Sequence, residues 1–311
     1  MKVGITGGAG FIGANLVEFL ANKGYEVAVI DNLETGNLDN LKASRHEFEF
    51  GDLRDLGTVR KFLNRTKVEH IVHLGALGSV PRSISQPRLS FFSNAVSTLN
   101  VLEAAKEFQL PITFSSSSSV YGKNPKLPKI ETDWLAPISP YAASKVSAEA
   151  LCMAFRESYE LSVTIYRLFN VYGPRQNPES IYAAVLPKWI FAAFRKEPII
   201  VFGDGEQKRD FTYVEDVISI IHNSIKERHN PNYPTNLAFG RPISLNKILD
   251  IFIEYFGKLE IQYHGIRKGD VRDSESNPEQ LYELHEEKID ITPLEVGLVR
   301  TFEWFKKNYD L

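Results

Sequence analysis

The chain has 311 residues, 24% of them charged, and a formal net charge of −3, which suffices for one large domain or two modest ones. Its basic residues are scattered and no apolar run approaches the roughly 20 residues of a membrane helix, so neither a nucleic-acid partner nor a membrane span is predicted. The single cysteine, Cys152, excludes an internal disulfide and a cysteine-based metal site; no metal site is predicted, and without a signal peptide the expected location is cytoplasmic.

A strand, a glycine turn, a helix and a second strand follow one another at the start of the chain. Residues 2–6 form an apolar stretch that predicts a strand, and residues 7–13 read Gly-Gly-Ala-Gly-Phe-Ile-Gly. Residues 14–23 predict a helix, and residues 27–30 predict a second strand, which Asp31 closes. This order is typical of a dinucleotide-binding site.

Each glycine of the turn has a distinct physical role in such a site. Gly7 allows the tight turn, Gly10 lets the backbone approach a pyrophosphate, and Gly13 lets the helix pack closely on the strand. The helix N-terminus then presents free N–H groups and the positive end of its dipole to the phosphates.

Asp31 distinguishes between the two nicotinamide cofactors. A carboxylate at the end of the second strand accepts both ribose hydroxyls and repels a 2′-phosphate. Residues 32–35 contain no Arg or Lys to bind that phosphate, so the sequence favours NAD over NADP. Asp52, after a strand-like stretch at 46–50, is a candidate contact to the adenine, with an exposed loop aspartate as the alternative.

The alternation of strands and helices continues as far as residue 170. It predicts a parallel sheet with helices on both faces. The further predicted strands are 71–74, 112–114 and 163–166, and the predicted helices are 55–64, 93–108 and 139–159.

The pattern loosens beyond residue 170, where prolines interrupt it and a smaller domain is predicted. Helices are predicted at 245–256 and 293–308, whereas 216–227 and 236–239 are interpreted as a return to the sheet. The predicted fold is therefore α/β: a Rossmann-like doubly wound parallel sheet with a smaller, mixed α/β C-terminal substrate domain. The predicted domains are 1–169 plus about 211–240 for the cofactor, and about 170–210 plus 241–311 for the substrate.

A serine run and a Tyr–Lys pair indicate acid–base chemistry. Residues 115–122 read Ser-Ser-Ser-Ser-Ser-Val-Tyr-Gly, and Tyr141-Ala-Ala-Ser-Lys145 follows downstream. A Tyr and a Lys at this spacing lie one helical turn apart on the same face. An ammonium beside the phenol is expected to lower its pKa and make it a usable base; the alternative is a surface pair on an amphipathic helix.

Together these motifs resemble those of the extended short-chain dehydrogenases/reductases, in the same order. More narrowly, the chain is similar to the nucleotide-sugar 4-epimerases of the UDP-glucose and UDP-N-acetylglucosamine type, over nearly its whole length. The additional motifs that carry this resemblance are Arg-Leu-Phe-Asn-Val-Tyr-Gly-Pro at 167–174, Gly-Asp-Gly at 203–205, Arg-Asp-Phe-Thr-Tyr-Val at 209–214 and Arg-Lys-Gly-Asp-Val at 267–271.

The resemblance implies a role for each site residue. Tyr141 would take the proton from the sugar 4-hydroxyl while hydride passes to NAD, Lys145 would bind the nicotinamide ribose, and Ser117 would hold the reacting oxygen. The implied cofactor contacts are Gly7, Gly10, Phe11, Ile12, Gly13, Asp31, Asn32, Asp52, Leu53, Leu74, Gly75, Ala76, Asn94, Ser115, Tyr141, Lys145 and Phe169. The implied substrate contacts are Ser79, Ser117, Asn170, Leu186, Val201, Phe202, Arg209, Arg267, Asp270 and Ser274.

The serine run also distinguishes between reaction types. Related dehydratases and decarboxylases carry acids immediately before Val-Tyr-Gly, where this chain has Ser118 and Ser119. Elimination of water requires proton abstraction next to a carbonyl, which a carboxylate performs. The sequence therefore argues against dehydration.

The choice of sugar depends on Ser274, which matches the position where a bulky aromatic excludes N-acetyl groups in the 4-epimerases. A small residue leaves room for an acetamido group. The hypothesis is therefore interconversion of UDP-N-acetylglucosamine and UDP-N-acetylgalactosamine, with UDP-glucose and UDP-galactose as a weaker or parallel activity.

Other functions are left open by the sequence. They are another nucleotide-sugar-modifying member of the family (a uronate epimerase, a reductase or a dehydratase) and a non-catalytic NAD-binding regulator. The resemblance also implies a homodimer formed through the helices around 93–108 and 139–159.

Overall fold

The structure is a computed structural model that describes residues 1–179, 183–266, 271–285 and 289–309. Its first half alternates strand and helix, as predicted. In chain order the elements are β1 (Lys2–Thr6), α1 (Phe11–Asn22), β2 (Glu26–Asp31), β3 (Glu47–Phe50), α2 (Leu56–Thr66), β4 (His70–His73), α3 (Val80–Ser85), α4 (Pro87–Phe91), α5 (Ser97–Phe108), β5 (Ile112–Ser117), α6 (Pro140–Tyr159) and β6 (Val163–Leu168).

The second half contains shorter strands between its helices. In chain order they are β7 (Val171–Tyr172), α7 (Val185–Arg195), β8 (Ile199–Phe202), β9 (Lys208–Asp210), β10 (Thr212–Tyr213), α8 (Val214–Glu227), β11 (Thr235–Leu237), β12 (Pro242–Ser244), α9 (Leu245–Phe256), β13 (Ile261–His264), α10 (Glu279–Leu284) and α11 (Leu294–Asn308).

Seven strands form the central sheet, in the order β11-β6-β5-β4-β1-β2-β3. Every neighbouring pair in it is parallel. The chain moves outwards from β1 through β2 to β3 and then returns to the other side of β1 with β4. The strand order therefore reverses between β1 and β4, and in open α/β sheets ligands bind at the carboxyl ends of the strands at such a point. The predicted fold class is confirmed.

Strand β11 is supplied by the second half of the chain. It pairs in parallel with β6, from Thr235 opposite Tyr166 to Leu237 opposite Leu168. The predicted return to the sheet at 236–239 therefore takes place.

Two apolar layers cover the sheet. One contains buried residues of α2, α5 and α6, and the other contains buried residues of α1 and α8 together with α7, α9 and α11 of the second half. The second half thus shares its core with one face of the sheet. None of the helices in the described ranges is long and apolar enough to cross a bilayer.

The helix predicted at 93–108 differs from the structure at its start. A π-helical turn spans Phe92–Val96, and the regular helix α5 begins only at Ser97. Asn94 in this turn is buried, and its Oδ1 accepts a hydrogen bond from Leu77 N at 2.7 Å. π turns of this kind are frequent near functional sites.

Candidate active site

Two adjoining cavities lie at the carboxyl ends of the sheet strands. The smaller, of about 340 Å³, is lined by the glycine turn and by residues that follow β2, β3 and β4. The larger, of about 810 Å³, lies between the serine run, α6, α7 and the segment 202–211. Gly78 lines both, so the two cavities meet there.

Gly7 and Gly13 of the glycine turn have no room for a side chain. A Cβ on Gly13 would lie 2.3 Å from the Gly7 carbonyl oxygen, and one on Gly7 would lie 2.7 Å from the Gly75 Cα. Gly7 also has a φ of +68°, which disfavours other residues. Helix α1 begins after Gly10 with no side-chain cap, which leaves its first N–H groups for an anion. This cradle fits a dinucleotide pyrophosphate.

Asp31 is anchored at the end of β2. Its Oδ2 accepts a hydrogen bond from Ala9 N at 3.0 Å, and its Oδ1 accepts one from Leu33 N at 2.8 Å. Burial raises the pKa of this carboxyl, while the two backbone hydrogen bonds oppose that rise. Each carboxylate oxygen keeps a lone pair, and the residue lines the smaller cavity. The group is therefore placed to accept ribose hydroxyls.

Asp52 is held by Arg54, a residue that the sequence analysis did not identify. Arg54 Nε donates to Asp52 Oδ1 at 2.9 Å and to Oδ2 at 3.0 Å. This contact lowers the pKa of the Asp52 carboxyl, so the group stays ionised. Both residues line the smaller cavity.

Most of the expected cofactor contacts line the smaller cavity, and four do not. Those that line it are Gly7, Gly10, Phe11, Ile12, Gly13, Asp31, Asn32, Asp52, Leu53, Leu74, Gly75, Ala76 and Ser115. Asn94 lies behind the cavity wall, where its Nδ2 donates to Ser144 Oγ at 2.9 Å. Tyr141 and Phe169 line the larger cavity instead, and Lys145 is buried against β5. Their cofactor roles remain predictions.

Helix α6 brings Tyr141 to the serine run. Ser139 caps the helix by accepting a hydrogen bond from Ala142 N at 3.1 Å, and Pro140 occupies its first position. The Tyr141 phenol lies close enough to Ser117 for that hydroxyl to lower the phenol's pKa against the effect of burial. Ser117 Oγ accepts from Ser119 N at 3.2 Å, which orients the hydroxyl. The predicted Ser–Tyr pair is thus assembled at the wall of the larger cavity.

The expected effect of Lys145 on the phenol is corrected by the structure. Lys145 Nζ donates to the Ser115 carbonyl oxygen at 2.8 Å and lies 5.0 Å from the Phe114 ring centroid. Burial lowers the pKa of Lys145 to about 8. Burial also raises the pKa of Tyr141, and only the hydrogen bond with Ser117 opposes that rise. The desolvation of the phenol therefore determines the direction of its pKa shift.

The larger cavity collects most of the expected substrate contacts. Those that line it are Ser79, Ser117, Asn170, Leu186, Phe202, Arg209 and Ser274. Val201 is fully buried and does not line it, so its role remains a prediction. Arg267 and Asp270 lie outside the described residues.

The distal wall of this cavity is built around Arg209 and Asp210. Arg209 Nη2 donates to the Val271 carbonyl oxygen at 2.7 Å, and Ser274 N donates to the Lys208 carbonyl oxygen at 3.0 Å. The Asp210 side chain is fully buried and accepts from Ser276 Oγ at 2.8 Å. Asp210 therefore anchors the loop that carries Ser274 beside Arg209.

Two polar atoms in the wall have no hydrogen-bond partner in the part of the chain that the structure describes. They are Ser119 Oγ, near Tyr141, and Gln207 Oε1, beside Phe202. Both atoms are buried, and a buried polar atom without a partner is costly unless a ligand satisfies it. The sequence analysis did not identify Gln207, because no local pattern marks it.

Comparisons with known proteins agree with this arrangement. The model of the NAD dependent epimerase/dehydratase family matches residues 3–237. A UDP-glucuronate 4-epimerase of Thermodesulfobacterium geofontis is 34% identical over 325 residues, covering 99% of this chain and 97% of its own length.

Solved structures of similar fold hold related ligands. A UDP-N-acetylglucosamine 4-epimerase of Methanobrevibacter ruminantium, in complex with UDP-N-acetylmuramic acid, has a TM-score of 0.92 and 35% identity over 98% of each chain. A UDP-glucose 4-epimerase of Thermus thermophilus, in complex with NAD, has a TM-score of 0.89 and 32% identity, covering 99% of this chain and 100% of that one.

Proposed function

The chain belongs to the NAD-dependent epimerase/dehydratase family, and we propose that it epimerises a nucleotide sugar at carbon 4 through a transient 4-keto sugar. NAD is its cofactor. The observation that carries the proposal is the contact between Tyr141 and Ser117 at the wall of a large cavity, next to a second cavity shaped for a dinucleotide.

The smaller cavity provides the groups that hold the cofactor. The glycine turn and the uncapped start of α1 suit the pyrophosphate, and Asp31 suits a ribose without a 2′-phosphate. When bound, NAD supplies a reversible hydride acceptor for the sugar carbon.

Tyr141 moves the proton. Its phenolate accepts the proton of the sugar 4-hydroxyl as that group becomes a carbonyl, and the phenol later returns a proton when the hydroxyl is restored on the other face. Ser117 donates a hydrogen bond to the reacting oxygen, and its hydroxyl also opposes the rise in the Tyr141 pKa that burial causes. The large cavity leaves room for the keto sugar to rotate and present its other face, and no net oxidation results.

The serine run supports epimerisation over dehydration. Ser118 and Ser119 line the larger cavity at the positions where related dehydratases carry acids. A hydroxyl without a carboxylate partner does not abstract a proton beside the keto group. The keto sugar therefore does not eliminate water and is reduced again.

The residues of the distal wall support the proposal that the substrate is bound through a nucleotide diphosphate. An arginine binds phosphate bidentately, and Arg209 lines this end together with the apolar Leu186 and Phe202. Ser274 keeps the wall open for an acetamido group. We therefore favour UDP-N-acetylglucosamine and UDP-N-acetylgalactosamine, with UDP-glucose and UDP-galactose as further substrates.

A UDP-uronate is the second candidate substrate. It is favoured by the 34% identity with a UDP-glucuronate 4-epimerase over 99% of the chain, and it would require the same chemistry at carbon 4.

We further propose the two domains and the homodimer that the sequence predicted. Residues 1–169 with about 211–240 would hold NAD, and about 170–210 with 241–311 would hold the nucleotide sugar. The protein would be a cytoplasmic homodimer joined through the helices around 93–108 and 139–159. Exposed aromatic side chains at Phe92 and Tyr159, 41% and 50% accessible, support such an interface.

Product analysis without added NAD tests the function. The purified protein is incubated separately with UDP-N-acetylglucosamine, UDP-glucose and UDP-glucuronate, and the sugars are separated by chromatography. We expect the 4-epimer of at least one sugar, with no lasting absorbance of NADH. Steady formation of NADH would identify a dehydrogenase instead, and a product lighter by one water would identify a dehydratase.

A further inference from the structure

Helix α6 contacts the serine run through three side chains, one on each successive turn of the same face. Tyr141 lies beside Ser117, and Lys145 Nζ donates to the Ser115 carbonyl oxygen. One turn further on, Glu149 Oε1 accepts a hydrogen bond from Ser116 Oγ. The first two contacts involve the predicted catalytic groups, whereas Glu149 and Ser116 have no role in the proposed reaction.

Glu149 makes the most extensive of these three contacts. Its side chain is fully buried and forms a bidentate ion pair with Arg167 of β6, with Nε to Oε1 at 3.0 Å and Nη2 to Oε2 at 2.8 Å. A planar guanidinium fixes a carboxylate in both position and orientation.

Hydrogen bonds also connect the ion pair to β11, the edge strand of the sheet. Arg167 Nη1 donates to Tyr121 Oη at 2.9 Å, and that hydroxyl donates to Asn236 Oδ1 at 2.6 Å. The network therefore joins α6 to β5, β6 and β11. A buried ion pair contributes little net stability compared with apolar residues of the same volume, so stability alone does not account for its presence under the serine run.

We propose that Glu149 is a positioning residue, which, with Arg167 as its counterion, holds Ser116 and so fixes the register of α6 on β5. This register keeps Tyr141 within hydrogen-bond reach of Ser117. The kinetic consequence rests on the proposed epimerase function, whereas the structural consequence does not.

The register affects how readily the phenol ionises. The hydrogen bond with Ser117 lowers the pKa of Tyr141 against the effect of burial. If the helix shifts, this hydrogen bond weakens and the pKa of the phenol rises further. Glu149 also raises the pKa of Lys145, which helps to keep the ammonium charged. A displaced helix is therefore expected to require a higher pH for the same rate.

Ser116→Ala removes one link of the network and leaves the ion pair intact, which avoids the folding defect expected for Glu149→Leu. We expect kcat to fall roughly 10- to 100-fold, the cost of a small misplacement of a catalytic group. KM should not change, and the acid limb of the pH–rate profile should move to higher pH. Ser116→Thr restores the hydroxyl and should recover most of the rate.

Ser224→Ala provides the matched control. Ser224 is also buried in helix α8, on the other face of the sheet; its hydroxyl donates to the Ile220 carbonyl oxygen at 3.0 Å and is hydrogen-bonded to the Tyr166 hydroxyl. This variant should lower thermal stability to a similar extent, with kcat and the pH profile unchanged within about two-fold.

Hydrogen–deuterium exchange of the α6 amides tests the register independently of turnover. We expect faster exchange in the first turns of α6 in Ser116→Ala and wild-type exchange in Ser224→Ala. Equal effects of the two variants on rate, pH profile and exchange would refute the positioning role, as would a raised KM with unchanged kcat in Ser116→Ala. A wild-type protein that epimerises none of the sugars would refute the proposed function, and exchange would still decide the role of Glu149.

Discussion

In the proposed mechanism Tyr141 carries the proton, and its environment sets the working pH. Burial holds the pKa of the phenol above its ordinary value, and burial lowers that of Lys145 to about 8. The phenolate fraction therefore grows with pH, while the lysine loses its charge above about pH 8. The rate should rise towards mildly alkaline pH and fall beyond it.

Replacement of Tyr141 by Phe tests its role as the base. Because the variant has no group to accept the proton, kcat should fall by about 10²- to 10⁴-fold, the usual contribution of general acid–base catalysis. The cofactor cavity is lined by other residues, so the NAD content of the purified protein should not change. Turnover at the wild-type rate would refute the mechanism.

Ser274→Tyr tests the discrimination between sugars. A phenol ring at this wall fills the space available to an acetamido group, and overfilling a contact costs about 1–3 kcal/mol, which corresponds to roughly 5- to 150-fold in kcat/KM. The kcat/KM for UDP-N-acetylglucosamine should fall by that factor, with UDP-glucose little affected. Ser274→Ala serves as the control, with both activities retained; an equal loss for both sugars in Ser274→Tyr would refute the assignment.

Residues with a local signature could be predicted from the sequence, whereas those defined by distant contacts could not. The spacing of Tyr141 and Lys145 indicates one helix face whatever the rest of the chain does. Asp210 acquires its anchoring role only through Ser276, 66 residues away, and no spacing marks that. The direction of the Tyr141 pKa shift was predicted wrongly, because spacing shows which charge is near but not how deeply the phenol is buried.

The glycine turn acts as a unit, because backbone closely approaches both Gly7 and Gly13. A side chain at position 13 would meet the Gly7 carbonyl oxygen and the Gly8 Cα, and neither atom moves without distortion of the turn. The turn therefore tolerates no enlargement at its point of contact with α1.

Gly13→Ala should weaken the binding of NAD. An overfilled backbone contact costs about 1–3 kcal/mol, so NAD affinity should fall by roughly ten-fold or more. Isothermal titration of the protein with NAD measures this change. Gly57→Ala is the matched control: it lies in helix α2, where an added Cβ makes only ordinary contacts of 3.4 Å or more. Equal NAD affinity in the two variants would show that the turn does not hold the cofactor.

Among the elements, long amphipathic helices were easiest to predict. The helix predicted at 245–256 has the bounds of α9, Leu245–Phe256, because its apolar residues recur with helical spacing. The two-residue strands β7 and β10 were missed, since their pairing with each other depends on tertiary contacts rather than on a pattern. The π turn before α5 was also missed, because a single π turn inside an α-helix has no sequence pattern of its own.

For the whole molecule, buried histidines link stability to pH. His70 and His73 are buried, and burial lowers their pKa from 6.5 to about 4 and about 3. Both stay neutral in the folded state, whereas the unfolded chain binds protons below pH 6.5. This contribution to stability is therefore complete above pH 6.5 and is lost as the pH falls towards about 4.

Urea unfolding at a series of pH values measures this linkage. Each buried histidine should contribute a slope of about 1.4 kcal/mol per pH unit on the acid side, so His70→Gln should lower the total slope by about that amount. His264 is exposed on β13, and His264→Gln serves as the control. Equal slopes for the two variants would contradict the assignment.

The pairing of β11 with β6 has a consequence for folding during synthesis on the ribosome. Every strand from β1 to β6 has emerged long before Thr235–Leu237 is translated, so the nascent chain carries β6 with one unpaired backbone edge. Such an edge is a template for pairing with another chain. Until β11 is translated, this edge of the nascent sheet is therefore open to non-native pairing, and we expect chaperones to act at this stage.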